Sequence, residues 1–323
     1  MGHFEAIISI NLPILLGYLI RKTDLFSMDE VGTLRKFVIQ VTVPFIIFKN
    51  LYKADISSIS QIAPSATALL VMCILFVSVS IGVSRVFKSP VQRNSFVIGT
   101  MFGNYGYLGW GVMYGFYGDN GFSRAVFFTI LSWPVFLVTG FAAIWILSRK
   151  NKTDGQGSGF FVRLLLKNSL APVLSATAAM SMNYFSVGLP RPFWNTVSSF
   201  GNITIPLILF TIGLSFRFRA GSSRFGVILT GSIFRVIPGI LTGLITIFIV
   251  SLIFKMDLIT RKMILIQSVM PTATVSAFFA EFIESDEEVI AAILTWSTLG
   301  ALLTIPLWYT AIEKTPQLLF FSL

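Results

Sequence analysis

"GNYGYLGWG", residues 103–111, interrupts one of the most apolar regions of the chain with four glycines and an asparagine. A membrane-spanning helix broken at its centre leaves N–H and C=O groups without partners, and each is costly in hydrocarbon. Such breaks persist only where protein or a water-filled cavity meets the backbone. The reading of this stretch therefore decides the fold.

Its surroundings are membranous. The 323 residues are 54% hydrophobic and 12% charged, with a mean hydropathy of +0.81, whereas soluble domains carry about 25% charged residues. Apolar runs long enough to span a bilayer are read at 4–20, 33–52, 61–84, 95–116, 122–148, 164–185, 194–215, 225–253, 263–283 and 287–311. The alternating ten-residue segments of a transmembrane barrel are absent, so the expected class is an all-α polytopic membrane protein with ten helices. No cleavable leader or myristoylation motif is read at the N-terminus. One cysteine, Cys73, and one histidine, His3, argue against disulfides, Cys/His metal sites and histidine-based catalysis. No cofactor and no enzymatic activity are expected.

The net charge of +10 orients the chain rather than marking a nucleic-acid partner. With ten helices, the loops around 21–36, 85–93, 149–167 and 217–224 collect fifteen of the 24 Lys and Arg, and those on the opposite side hold eight. The positive-inside rule places the first set in the cytoplasm of a cell with this protein in its plasma membrane, and both termini outside. The acidic cluster at 284–288 counts little in that rule.

The polar segment "NKTDGQGSG" (151–159) lies near the middle of the chain and reads as a cytoplasmic linker between five-helix halves, 1–150 and 160–323. The halves resemble each other. "TVPFIIF" (42–48) matches "TIPLILF" (204–210) at an offset of 162, "LPILL" (12–16) aligns with "APVLS" (171–175) at 159, and "AVFFTILSW" (125–133) with "AAILTWSTL" (291–299) at 166. Three matches in chain order indicate a 5+5 inverted repeat, an architecture of secondary transporters.

Carried to the opening stretch, the offset of 166 sets Asn104 opposite Met270, Tyr105 opposite Pro271 and Gly106 opposite Thr272. The equivalent region of the second half, "SVMPTATVSAF" (268–278), is also interrupted, and paired interruptions are the best sequence pointer to a transporter binding site. New half-helices are expected to start near Tyr105–Gly106 and Pro271–Thr272, presenting free N–H groups at the midplane. The nearest acidic residues are Asp119 and Glu281, so two helix N-termini with amides and hydroxyls favour an anion.

Asn104 is read as a substrate contact, with capping of the broken helix as the alternative. Thr272 and Thr274 are candidates for the same role, or for bonding backbone carbonyls. Asn50, Ser132 and Trp133 are candidate cavity residues. Thr42 and Thr204 precede the matched Pro44 and Pro206 by two residues and are expected to satisfy carbonyls that those prolines release. Arg235, the one basic residue well inside a helix, is assigned a structural role, with snorkelling to the cytoplasmic surface as its alternative. Gln267 is a candidate for an ion or substrate path. The glycines do not form a phosphate loop, because no Lys-Ser/Thr follows them.

"GNYGYLGWG", "TVPFIIF", "NITIPLILFTIGLSF" (202–216) and "VMPTATVSAFFAEF" (269–282) together resemble the auxin efflux carrier family, which includes plant auxin exporters and bacterial malonate- or malate-type permeases. The resemblance runs over essentially the whole chain. It implies a fold like that of bile-acid/sodium symporters, with a scaffold domain and a transport domain, crossing fourth and ninth helices, and elevator-like movement. It also implies that Asn104 is the crossover asparagine and Pro271 the second crossover break. Where the family commonly has Leu-Gly-x-Pro after the asparagine, Gly109 is followed here by Trp110 and Gly111. Gly103 replaces the proline that plant members place before it, and the central loop is short. These departures point away from auxin itself.

The expected function is export or import of a small organic anion, a carboxylate, across the bilayer by alternating access. A membrane sensor for the same anion is the alternative. Sodium and protons are both open as coupling ions, and a second copy of the chain is a candidate partner.

Overall fold

A computed structural model describes residues 3–54, 60–148, 158–216, 224–235 and 237–315. The expected linker lies largely outside the described residues, with helix resuming at Ser158. Among the described residues the protein is all-helical, and its one β feature is an isolated bridge between Gly103 and Thr272. Five helices among the described residues are long and apolar enough to cross a membrane: Met28–Tyr52, Ile62–Ser84, Arg191–Leu214, Phe225–Ser251 and Glu287–Lys314. Leu108–Thr129 with Ser132–Leu147 makes a sixth if the pair counts as one broken span.

The runs at 95–116 and 263–283 are each interrupted, after Thr100 and after Ser268. The first run lies in the helix His3–Arg21 and the run at 164–185 in the helix Ser158–Tyr184. The turn expected between 116 and 122 is a corner within Leu108–Thr129, where Gly118 takes φ +60° and ψ −148°, a conformation nearly closed to other residues. Exposed leucines such as Leu303 and Leu307 on the 287–314 helix would be untenable as a patch facing water, and they suit lipid.

The chain packs as two compact units, each drawing on both halves of the sequence. The first comprises Met1–Ala63, Gly106–Ile130 and Leu166–Phe216; the second comprises Pro64–Tyr105, Leu131–Leu165 and Arg217–Leu323.

In the first unit, Ser27 starts the second helix with a capping box: its Oγ accepts from Glu30 N (3.3 Å) and Glu30 Oε2 accepts from Ser27 N (2.8 Å). Before Pro44 the helix widens to a π-helical stretch, Val38–Thr42, which accommodates a ring that would collide with the carbonyl four residues earlier. Thr42 Oγ1 donates to Val38 O (3.1 Å), and Thr204 Oγ1 lies 3.0 Å from Thr42 O and 2.9 Å from Phe200 O. The helices His3–Arg21 and Arg191–Leu214 cross at paired glycines, as small residues permit in membranes. A Cβ on Gly17 would land on the Phe210 carbonyl oxygen, and one on Gly213 on that of Ile14.

The second unit is built around buried aromatic rings. Phe102 packs against Phe136 at 4.5 Å between centroids and against Phe279 at 5.6 Å. Asp286 caps the last helix by accepting from Glu288 N and Val289 N, and pairs with Arg224 at 2.9 Å.

Two glycine substitutions separate close packing from helix propensity. Gly213→Ala places a methyl group on backbone and is expected to destabilise the protein by about 1–3 kcal/mol. Gly300→Ala, in a helix with nothing within 4 Å of the new Cβ, is expected to gain about 0.5–1 kcal/mol. Thermal unfolding of the detergent-purified protein checks the opposite signs.

Candidate functional site

The two interruptions meet within the second unit. Helix Pro90–Thr100 ends, and the chain runs extended through Phe102–Asn104; helix Leu258–Ser268 ends, and the chain runs extended through Met270–Ala273. The extended pieces lie antiparallel. Asn104 N donates to Pro271 O at 2.7 Å, and Ala273 N donates to Phe102 O at 2.9 Å. Gly103 and Thr272 form the non-hydrogen-bonded pair between these bonds, the pair at which two backbones approach most closely. Each break thus supplies partners that the other lacks, which is what hydrocarbon demands.

This arrangement moves the expected half-helix starts. The first helix resumes at Leu108, not Tyr105–Gly106, and the second element is a 3-10 helix, Thr274–Phe282, rather than a helix begun by Pro271. Residues 102–104 and 271–273 are spent on the bridge and cannot be helical. Pro271 lacks an N–H, so its useful backbone group is the carbonyl that receives Asn104. The Thr274–Phe282 element has no side-chain cap, which leaves its first N–H groups available to an acceptor.

The carbonyls released at the helix ends are also claimed. Thr272 Oγ1 donates to Gly99 O at 2.6 Å, while Thr272 N donates to Ser297 Oγ at 3.2 Å. Gln267 Nε2 donates to Tyr105 O at 3.3 Å, and its Oε1 has no protein partner. Arg235 is fully buried and donates to Met270 O at 3.0 Å, to Thr100 O at 3.4 Å and to the Tyr105 hydroxyl at 3.4 Å. It does not snorkel. Gly103 makes this placement possible, because a Cβ there would overlap Arg235 Nη2 and the Tyr105 ring.

The sequence-predicted residues therefore divide. Asn104, Tyr105, Met270, Pro271, Thr272, Arg235 and Gln267 come together at the crossing. Of these, Tyr105, Met270, Thr272, Arg235 and Gln267 are closed off, whereas Asn104 retains 8% exposure. Thr274 is exposed at the start of the 3-10 helix, and Ser132 and Trp133 are half-buried at the start of Ser132–Leu147. Gly106, Asn50, Thr42, Pro44, Thr204 and Pro206 belong to the first unit. Asn50 is buried there, with Nδ2 donating to Ile46 O at 2.8 Å and Oδ1 unpartnered in the protein. The sequence reading missed Ser297 and the spatial role of Gly103. A serine in an apolar helix carries little signal, and a glycine's purpose depends on what lies beside it.

Thr272 provides a direct check. Thr272→Val removes the hydroxyl from Gly99 O and leaves a buried carbonyl unpaired, expected to cost about 1–3 kcal/mol, whereas Thr272→Ser retains the bond and most of the stability. Unfolding midpoints of the two variants in one detergent make the comparison.

The profile of the family described as "Membrane transport protein" matches residues 3–309. An uncharacterized transporter of Methanothermobacter thermautotrophicus is 24% identical over 319 residues, covering 95% of this chain and 98% of the relative. An uncharacterized transporter of Methanocaldococcus jannaschii is 24% identical over 316 residues, with the same coverage. The chain belongs to this membrane transport protein family, the auxin efflux carrier family that its motifs resemble.

Proposed function

We propose that this family member is a secondary transporter of a small organic anion, with its substrate site at the crossing of the two broken helices. The observation that carries this reading is the bridge itself: two interrupted helices spliced through Asn104–Pro271 and Phe102–Ala273, with a buried guanidinium beside them. Paired broken helices of this kind hold substrates in carriers with inverted repeats. The proposed architecture is ten helices in a 5+5 inverted repeat, and the proposed movement is an elevator-like displacement that exposes the crossing to each side in turn.

The charge of the site selects the class of substrate. Arg235 contributes a permanent positive charge, and the start of the Thr274–Phe282 helix, which has no side-chain cap, adds partial positive charge. Asn104 brings a carboxamide to the same strand. A carboxylate has the sign, size and acceptor geometry for such donors. In the cell, the excess of Lys and Arg on one set of loops orients the chain with that set in the cytoplasm and both termini outside.

The test is counterflow in proteoliposomes with labelled acetate, malonate, malate and indole-3-acetate. At least one carboxylate is expected to exchange, and Asn104→Ala is expected to slow that exchange about tenfold or more, since a hydrogen bond to a charged group contributes about 1.5–3 kcal/mol. Wild-type rates in both Asn104→Ala and Thr274→Ala would move the site elsewhere. A carboxylate that stabilises the protein but never exchanges would make the protein a receptor instead.

A further inference from the structure

The two helix ends that precede the breaks point carbonyl oxygens at one place, and a side chain occupies it. Arg235 follows the helix Phe225–Phe234 and is completely buried. Its Nε donates to Met270 O, its Nη1 to Thr100 O and its Nη2 to the Tyr105 hydroxyl, at 3.0, 3.4 and 3.4 Å. The guanidinium carbon lies 3.7 Å from the centroid of the Phe76 ring and 5.8 Å from that of Tyr105. No described carboxylate pairs with it.

A guanidinium remains protonated in proteins, and a buried charge requires compensation. Here it comes from neutral groups: two backbone carbonyls, a hydroxyl and the faces of aromatic rings. Converging carbonyls from unwound helices are also the donors with which broken-helix carriers coordinate a sodium ion. In this chain two such carbonyls, Met270 O and Thr100 O, are held by a side chain that cannot leave. Gly103, directly opposite Thr272 in the bridge, keeps the space open for Nη2.

We propose that Arg235 is a tethered cation that takes the place of a dissociable coupling ion at the crossing, so that the site is assembled without sodium. The guanidinium holds Met270 O and Thr100 O together, and through them the two breaks, whatever the sodium gradient. Arg235 is a positioning residue in this scheme, because its bonds go to the backbone that carries the site. The link to substrate rests on the function proposed above, but the cation role does not, and it is tested without any substrate.

The full-length protein is purified in detergent, and thermal unfolding is followed in millimolar sodium, choline or guanidinium chloride at constant ionic strength. The wild-type midpoint is expected to be the same in all three salts. Arg235→Ala is expected to unfold at lower temperature and to be restored saturably by guanidinium or sodium but not by choline, since a small cation can re-enter the vacated cage. Arg235→Lys, which retains a tethered charge, is expected to show no salt preference. Saturable stabilisation of the wild type by sodium would overturn the proposal, and this arm needs no variant to fold. So would an Arg235→Ala protein whose midpoint no cation restores selectively. A lack of exchange for every carboxylate in the proteoliposome panel would count against the substrate reading and leave these salt responses unchanged.

Discussion

Hydrocarbon offers no hydrogen bonds, and the structure around the crossing follows from that constraint. A helix may be cut inside a membrane only if something replaces the bonds lost on either side of the cut. Here the replacement for each cut is the other cut. Asn104 N–H finds Pro271 O, and Ala273 N–H finds Phe102 O, so two liabilities become one antiparallel splice. Neither break would be stable alone, and the splice exists only because the chain places two of them together.

The side chains around the splice complete the account of the released backbone groups. Thr272 takes Gly99 O, Ser297 receives Thr272 N–H, and Arg235 takes Thr100 O and Met270 O. These partners share atoms or adjacent peptide groups, so their contributions are coupled and will not add. Gly103 belongs to the same set although it bonds through nothing but its backbone. Its missing Cβ is the space into which the guanidinium and the Tyr105 ring fit. A buried guanidinium, the uncapped start of the Thr274–Phe282 helix and a carboxamide then lie around one short bridge, which is the electrostatic basis of the proposed anion site.

Much of this was legible in the sequence. Composition showed a membrane protein, and the family profile over residues 3–309 agrees. The glycines of 103–111 and the proline-threonine run after Met270 marked both interruptions, and the apolar repeat suggested that they were partners. The repeat did not yield the register. An alignment offset cannot supply it, because the separation of facing residues in an antiparallel pair changes by two at each step along the strands, and Gly103–Thr272 is one such pair. Nor did helical periodicity reveal the short extended pieces, because a three-residue bridge has no period to detect. Arg235 stood out as a charge in an apolar helix, but its destination is a set of carbonyls more than a hundred residues from it in one case, at Thr100. Such backbone acceptors have no signature in a side-chain alphabet.

As proposed, the crossing is a substrate site that opens to each side of the membrane in turn. Val275→Cys in a Cys73→Ser background places the chain's one thiol beside the crossing, on the half-exposed start of the Thr274–Phe282 helix and away from Asn104, where a membrane-impermeant alkylating reagent can be applied to right-side-out and inside-out vesicles. Labelling is expected from both sides, slowed in both cases by the carboxylate that exchanges in proteoliposomes. Labelling from one side alone, or labelling that the carboxylate leaves unchanged, would contradict it.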